Sequence, residues 1–184
     1  MKSILEVAKS FLQDCVPPDG ILCDFTMGNG SDTLYLAGLV PQGRVYAFDI
    51  QPLALEHTRQ RLEQAGAGQN VELILDSHAR VDRYVQGPID AGMFNLGYLP
   101  TSDRVVTTKV ESTLEAIEKA VALLKVGGVL VVVVYPGHDE GKREGEEIYR
   151  YACTLSAKKF DVTCYRLINI PDCPYIYAFE KRKA

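Results

Sequence analysis

Several polar residues in this sequence stand directly after apolar stretches, where the end of a strand would place them in a binding crevice. The first group follows the apolar stretch 21–25 and consists of a glycine turn and the residues after it: Gly28, Asn29, Gly30, Ser31 and Asp32. Strand, glycine turn and helix begin a βαβ unit that binds a phosphate or a cofactor, because glycines let the backbone turn sharply and approach a ligand. Thr33 stands where a dinucleotide fingerprint has its third glycine, so an ordinary tight turn stays an alternative here.

Two further apolar strands end in polar residues that suit the rest of a nucleotide. Asp49 ends the second strand, about twenty residues beyond the glycines, where an acidic side chain commonly binds ribose hydroxyls. Gln51 follows it as a weaker candidate. After the third strand, Ser77 and His78 could bracket an adenine with polar groups. His57 lies in a predicted helix among charged residues and is interpreted as solvated surface.

Hydrophobic periodicity predicts the elements that position these residues. The predicted helices cover 2–15, 31–40, 52–65, 79–85, 112–124 and a segment that ends near 157, and the predicted strands cover 21–25, 44–50, 71–75, 89–94, 129–134, 161–170 and 175–180. Ser31 looks like a helix N-cap, with Asp32 in the first turn. Ser112 has capping-box spacing to Glu115, and Gly127-Gly128 should end that helix. Residues 138–147, rich in charge and glycine, are predicted to form a loop.

Strand and helix alternate five times, which predicts a mostly parallel, doubly wound sheet with helices on both faces. The last two strands are joined by a short connection and should form an antiparallel hairpin. By analogy, this hairpin favours a Rossmann-like class I methyltransferase fold with seven strands over a dehydrogenase. S-adenosylmethionine is then the leading cofactor, and a nicotinamide dinucleotide is the runner-up. Residues 1–184 should form one domain, with the N-terminal helix (1–16) packed on it.

Candidate catalytic residues follow the fourth and fifth strands. Asn95 and Tyr98 keep the two ends of the Asn-Pro-Pro-aromatic motif of enzymes that methylate exocyclic amines, with Leu-Gly in place of the prolines. The Asn carboxamide oxygen could accept a hydrogen bond from the attacking amine, and the aromatic ring could stack on a base. A turn with a buried tyrosine is the alternative. His138 begins a polar segment with Asp139 and Glu140 that suits a substrate lid.

Composition limits the partners and the compartment. The 184 residues are 47% hydrophobic and carry a net charge of −4, which argues against a sequence-blind coat on nucleic acid. A local cluster on loops, formed by Arg104, Lys109, Lys142 and Arg143, could still bind RNA. The five cysteines are scattered and never in C-x-x-C spacing, so we expect no metal site and no disulfides. With no apolar run of membrane-spanning length and no signal-peptide core, we expect a cytoplasmic protein without a membrane partner.

Six stretches across nearly the whole chain resemble a family of small bacterial proteins labelled rRNA methylases: DFTMGNGSDT, YAFDIQ, DSH, FNLGYLPTSD, KVGG and VVYPGHDEG. Members of that family are known as tRNA 5-(aminomethyl)uridine methyltransferases of the MnmM type. The resemblance implies methyl transfer from S-adenosylmethionine to the aminomethyl nitrogen at the wobble uridine, so tRNA and its anticodon region are the implied partner. It also implies cofactor contacts by Asn29, Asp32, Asp49, Gln51, Ser77 and His78. This chain has Ser31 where relatives often have His, and Thr101-Ser102 where they tend to have Gly-Gly.

Three alternatives to this reaction stay open at the level of sequence. The chain could methylate ribosomal RNA or another nucleobase. It could be a nicotinamide-dependent reductase, although the missing third glycine weighs against that class. It could also be a non-catalytic module that binds RNA or a cofactor, although Asn95 and Tyr98 speak against that reading. A homodimer is kept open as the oligomeric state.

Overall fold

The computed structural model describes residues 2–13, 15–97 and 110–184, and these form an α/β structure. Its helices are α1 (Ile4–Gln13), α2 (Ser31–Leu39), α3 (Pro52–Gln64), α4 (Val81–Tyr84), α5 (Val110–Leu123) and α6 (Asp139–Thr154). Its strands are β1 (Ile21–Asp24), β2 (Arg44–Asp49), β3 (Val71–Leu75), β4 (Ile89–Asn95), β5 (Leu124–Val134), β6 (Phe160–Tyr165) and β7 (Tyr175–Lys181). A short 3₁₀ helix, His78–Arg80, precedes α4.

The seven strands form one sheet in the order β3-β2-β1-β4-β5-β7-β6. Strands β1 to β5 pair in parallel, whereas β7 runs antiparallel to both β5 and β6. This confirms the predicted Rossmann-like, mostly parallel sheet with a C-terminal antiparallel hairpin. The chain winds outward from β1 in one direction and from β4 in the other. The carboxyl ends of β1 and β4 therefore border the crevice in which α/β proteins of this kind bind ligands.

The central strand β5 carries apolar side chains into two cores, one on each face of the sheet. Leu130 and Val132 belong to the core covered by α5 and α6, while Val131 and Val133 belong to the core covered by α1 and α2. This alternation follows from the two-residue period of a strand, and both faces are apolar because helices cover both. Among the described residues, no helix is long and apolar enough to cross a bilayer.

Two predicted helix N-caps are wrong. The N-cap of α2 is Gly30, with a left-handed φ of 77°, and Ser31 is the first helical residue. Ser112 lies inside α5, which is already helical at Val110, so its capping-box spacing does not start the helix. Short cap motifs occur by chance at many positions, and the path of the chain into the helix decides which residue becomes the cap.

The predicted glycine end of α5 is also wrong, because Gly127 and Gly128 lie within β5. Gly127 has a positive φ of 84°, and the pairing of β4 with β5 shifts register between Ile89 and Ala91. A side chain on Gly128 would place its Cβ 2.9 Å from the carbonyl oxygen of Asp90. The glycine pair therefore permits a β-bulge at which the backbones of β4 and β5 approach closely. Glycines inside strands often have this role.

The segment 138–147 is helical from Asp139 onward, so the predicted loop and lid are wrong. His138 is the N-cap of α6, and its Nδ1 accepts a hydrogen bond of 3.0 Å from the Gly141 N–H. A Cβ on Gly141 would lie 2.1 Å from the carbonyl oxygen of Tyr135, so the helix packs closely on the end of β5. Close packing of this kind outweighs the low helix propensity of glycine.

Candidate active site

The glycine turn between β1 and α2 is built against helix α3. Gly28 and Gly30 both have positive φ angles, 50° and 77°. A Cβ on Gly30 would lie 2.8 Å from the Cα of Thr58, closer than real side chains approach a backbone. The hydroxyl of Thr58 donates a hydrogen bond of 3.2 Å to the carbonyl oxygen of Gly28. The turn is thus fixed in a shape that brings bare backbone to the crevice, as a bound cofactor requires.

Asp49 at the end of β2 joins this turn to the start of α3. Its Oδ2 accepts from the Gly28 N–H at 3.1 Å and its Oδ1 from the Gln51 N–H at 3.0 Å. Burial raises the pKa of this carboxyl group above its ordinary value, although the backbone N–H donors oppose that effect. A carboxylate has about four acceptor positions, so the bonds from Gly28 and Gln51, with the Ile50 N–H close by, leave some acceptor capacity for a ligand hydroxyl group.

Two side chains of α3, those of His57 and Arg61, contact Asn29, and the sequence did not indicate either contact. Its Oδ1 lies 3.0 Å from Nδ1 of His57, and its carbonyl oxygen accepts from Nε of Arg61 at 2.6 Å. The interpretation of His57 as plain solvated surface is therefore wrong. A histidine inside a charged helix gives no local signal of a partner 28 positions away.

His78 carries a buried nitrogen atom that lacks a partner in the described part of the chain. Its Nδ1 lies 2.9 Å from the carbonyl oxygen of Phe25, which can only accept, so the proton is on Nδ1. Burial lowers the pKa of His78, which favours the neutral ring. Nε2 is then an acceptor, and it is buried without a hydrogen bond. A ligand amino group, such as that of adenine, would supply the missing donor.

Ser77 and Gln51 both stand at helix N-termini beside these groups. The Ser77 hydroxyl accepts from the Ala79 N–H at 3.2 Å and caps the 3₁₀ helix. Gln51 is the N-cap residue of α3, but its side chain makes no capping bond. The side chain of Gln51 thus remains available for a ligand, whereas the Ser77 hydroxyl already accepts one bond inside the protein.

Asn95, at the end of β4, is oriented by Asp32 of the first turn of α2. Asn95 Nδ2 lies 3.1 Å from Asp32 Oδ2, and the other carboxylate oxygen lies 2.9 Å from Nζ of Lys9 in α1. A carboxylate only accepts hydrogen bonds, so the amide nitrogen must face Asp32 and Oδ1 must face away. The Asn95 N–H also donates to the Thr26 hydroxyl at 2.7 Å. The carboxamide thus presents an acceptor from a fixed position.

Asp24, the last residue of β1, is a buried carboxyl group beneath the site. It is 1% exposed and accepts from the Thr33 hydroxyl at 2.6 Å and the Thr26 N–H at 3.1 Å. Burial, and secondarily the charge of Asp32, raises the pKa of Asp24 to about 7. An acidic residue in an otherwise apolar strand was the available signal, because such residues are rarely buried without a partner.

Comparison with known proteins places this arrangement in a family. The family model described as "Putative rRNA methylase" matches residues 45–180. The chain belongs to this methylase family. The predicted resemblance is thereby confirmed, and the protein is an S-adenosylmethionine-dependent methyltransferase. The reductase and non-catalytic alternatives are wrong.

Individual relatives cover nearly all of the chain. A protein of Arabidopsis thaliana named "tRNA (mnm(5)s(2)U34)-methyltransferase, chloroplastic" is 32% identical over 193 residues, which cover 99% of this chain and 70% of the relative. The solved structure of an rRNA methylase, described as putative, from Clostridium thermocellum has a TM-score of 0.95 and 38% identity, with 98% of each chain covered. A methyltransferase from Streptococcus mutans, also described as putative and solved in complex with SAH, has a TM-score of 0.91 and 40% identity, covering 98% of this chain and 99% of its own.

Of the other two predicted catalytic residues of this methylase, the structure describes His138 but not Tyr98. Tyr98 lies outside the described residues, as do Arg104 and Lys109. His138 caps α6, and within the described ranges it makes no hydrogen bond to Asn95. Gly97, next to Asn95, has a φ of 129°, a conformation that other residues rarely adopt. That angle accounts for a glycine where similar enzymes have a proline.

Proposed function

We propose that this methyltransferase transfers a methyl group to the aminomethyl nitrogen of 5-aminomethyluridine at the wobble position of tRNA. The observation that carries the proposal is the carboxamide of Asn95, whose Nδ2 is held by Asp32 at 3.1 Å. The fixed Oδ1 suits an amine nucleophile, which has N–H groups to donate. The name of the Arabidopsis relative, a methyltransferase of the tRNA wobble position, supports the same substrate.

The described residues fit S-adenosylmethionine at this site. When bound, the cofactor supplies an electrophilic methyl group. Asp49 would hold the ribose hydroxyls with its unused acceptor positions, and Nε2 of His78 would accept from the adenine amino group. The N–H groups of the glycine turn would bind the carboxylate. We assign the cofactor-binding role to Gly28, Asn29, Gly30, Ser31, Asp32, Asp49, Gln51, Ser77 and His78.

The attacking amine must be neutral, and the site has to make it so. If the amine titrates like lysine, neutrality at pH 7 costs about 4–5 kcal/mol. Burial in a dry pocket lowers such a pKa by up to ~3–5 units. Asn95 would then orient the nitrogen roughly 3–3.5 Å from the methyl carbon through one accepted hydrogen bond. In this proposal positioning and desolvation, more than a strong base, lower the barrier.

Tyr98 and His138 complete the proposed substrate side. We assign Tyr98 to stacking on the uridine base, a contact worth roughly 1–3 kcal/mol. His138 stands at the start of α6, after the strand that neighbours β4, and we assign it to the substrate side of the crevice. We propose a cytoplasmic setting for this reaction, supported by five scattered cysteines that are never in C-x-x-C spacing.

Ribosomal RNA is the second candidate substrate. It is favoured by the description of the matched family and by that of the Clostridium thermocellum neighbour. The two substrates differ chemically. An aminomethyl nitrogen is a basic amine that must lose a proton, whereas a base amino group is nearly neutral already.

The deciding experiment measures methyl transfer to both RNAs by the same enzyme. Purified protein and labelled S-adenosylmethionine are incubated with tRNA that carries 5-aminomethyluridine or with unmodified ribosomal RNA. Nucleosides are then analysed by mass spectrometry. We expect methylation of the aminomethyl group in tRNA. Label found only in ribosomal RNA would refute the proposal and support the second candidate.

Asn95→Ala tests the site in the same assay. Because small misplacements of reacting atoms cost about two orders of magnitude, the single-turnover rate should fall at least that far while affinity for S-adenosylmethionine changes little. Circular dichroism and the melting temperature establish that the variant is folded. A near wild-type rate for the folded variant would remove Asn95 from catalysis and direct attention to His138.

A further inference from the structure

Three carboxyl groups crowd the floor of the crevice, on Asp24, Asp32 and Asp49. Asp24 and Asp32 are 1% and 6% exposed, and the charge of Asp32 contributes to the raised pKa of Asp24. Among the residues that the structure describes, the one cation in ion-pair contact with any of the three is Lys9, on Asp32. Among the described residues, the positive charge paired with these carboxyl groups thus comes from α1.

Lys9 is held in place by more than its charge. Its Nζ lies 2.9 Å from Asp32 Oδ1 and 4.8 Å from the centre of the Tyr35 ring. The Tyr35 hydroxyl donates to the carbonyl oxygen of Lys9 at 3.1 Å. The lysine side chain is 24% exposed, so the pair is partly shielded from water. A partly buried ion pair is less screened by water than an exposed one, so its geometry is better defined.

The Asp32 carboxylate connects Lys9 to the side-chain amide of Asn95, which is proposed to be catalytic. Lys9 binds one oxygen of the Asp32 carboxylate, and Asn95 donates to the other. We propose that Lys9 is a positioning residue for methyl transfer: it anchors the Asp32 carboxylate, which in turn keeps Oδ1 of Asn95 turned toward the substrate amine. This inference rests on the proposed role of Asn95.

Removal of the lysine charge has a definite consequence in this arrangement. Without Lys9, one Asp32 oxygen loses its partner, and the carboxylate can rotate toward water or toward other donors in the crevice. The hydrogen bond to Asn95 is then no longer held in one direction, and the carboxamide can turn. The rate of methyl transfer then falls because the substrate amine is less well aligned. Lys9 itself does not contact the reacting atoms in this proposal.

The test compares three variants in single-turnover methylation of tRNA bearing 5-aminomethyluridine. Lys9→Met removes the charge but keeps an unbranched side chain, and Lys9→Arg restores the charge. Tyr35→Phe is the matched control, because it removes a bond between α1 and α2 and leaves the ion pair intact. We expect Lys9→Met to slow transfer about tenfold or more, with less than about threefold change in S-adenosylmethionine affinity. Lys9→Arg should recover most of the rate, and Tyr35→Phe should react like wild type.

A double variant separates this inference from the proposed function. If Lys9 acts through Asn95, Lys9→Met should slow the Asn95→Ala enzyme no further, because linked residues are not additive. Equal rate losses for Tyr35→Phe and Lys9→Met would mean that Lys9 only docks α1, and would overturn the inference. A loss confined to cofactor affinity would overturn it too, because Lys9 would then act on cofactor binding through Asp32 and not on the Asn95 amide. If Asn95→Ala itself reacts at the wild-type rate, the proposed role of Asn95 is the part that fails.

Discussion

Replacement of Asp49 by alanine tests the cofactor site most directly. The carboxylate already accepts two backbone N–H bonds, from Gly28 at 3.1 Å and Gln51 at 3.0 Å. With about four acceptor positions in all and the Ile50 N–H also close to it, the carboxylate keeps capacity for a ribose hydroxyl. A hydrogen bond to a charged group contributes about 1.5–3 kcal/mol, and about 1.4 kcal/mol corresponds to a factor of ten in affinity. Loss of one such bond alone predicts at least tenfold weaker binding.

The same variant should remain folded. Burial raises the pKa of Asp49, so its charge is unfavourable in the folded state, and alanine removes that cost together with the two backbone bonds. Asp49→Asn should fall between alanine and wild type, because it keeps one acceptor oxygen. Asp82→Ala is the matched control, since Asp82 is a surface carboxylate 3.0 Å from Lys119.

Isothermal titration calorimetry with S-adenosylmethionine or SAH measures the affinities, and thermal unfolding checks each variant. We expect Asp49→Ala to bind at least about tenfold more weakly and Asp82→Ala to bind like wild type. Unchanged affinity in folded Asp49→Ala would remove Asp49 from the cofactor site and refute the reasoning. An equal loss in Asp82→Ala would show that the effect is not local.

Two further predictions concern pH and RNA. The buried carboxyl of Asp24 has a pKa raised to about 7, so its contribution to stability is present at low pH and is lost as the pH rises from about 4. Asp24→Asn cannot ionise, so its melting temperature relative to wild type should rise between about pH 4 and about pH 7 and level off above that, and a pH-independent difference would refute the argument. Charge reversal at exposed Lys142 and Arg143 should raise the apparent KM for tRNA and leave S-adenosylmethionine affinity unchanged, with a log–log salt slope of about 0.7–0.9 per phosphate contact. If the charge reversals weakened tRNA use and S-adenosylmethionine binding to the same extent, these two residues would be structural.

Local patterns in the sequence were enough to predict most of the fold. The strand Val71–Leu75 was predicted with the bounds that it has, and α2 and α3 were predicted to within one residue at each end. Such elements are set by hydrophobic periodicity and by glycine and proline, which act over a few neighbouring residues. The position of Asp49 at the end of β2 was also predictable, because the carboxyl ends of parallel strands meet at one edge of the sheet.

The helical state of residues 139–147 was not predictable in this way. Three glycine and proline positions near the start of α6, at 136, 137 and 141, indicate a loop by local propensity. The segment is helical because Gly141 and Gly145 let the helix pack against Tyr135 and Tyr175 without side-chain clashes. The contact with Tyr175, the first residue of β7, exists only after β7 has paired with β5.

Most residues of the candidate site could be predicted from the sequence, but the hydrogen bonds between them could not. Asn95, Asp32 and Asp49 could each be singled out, because each follows a predicted strand or a glycine turn. The contact between Asn95 and Asp32 joins residues 63 positions apart, and the contact between Asn29 and His57 joins residues 28 apart. A hydrogen bond forms only when the donor–acceptor distance is correct to within a few tenths of an ångström. Hydrophobic patterning does not specify positions that accurately. Only the tertiary packing of α1 and α3 against the sheet brings Lys9 to Asp32 and His57 to Asn29.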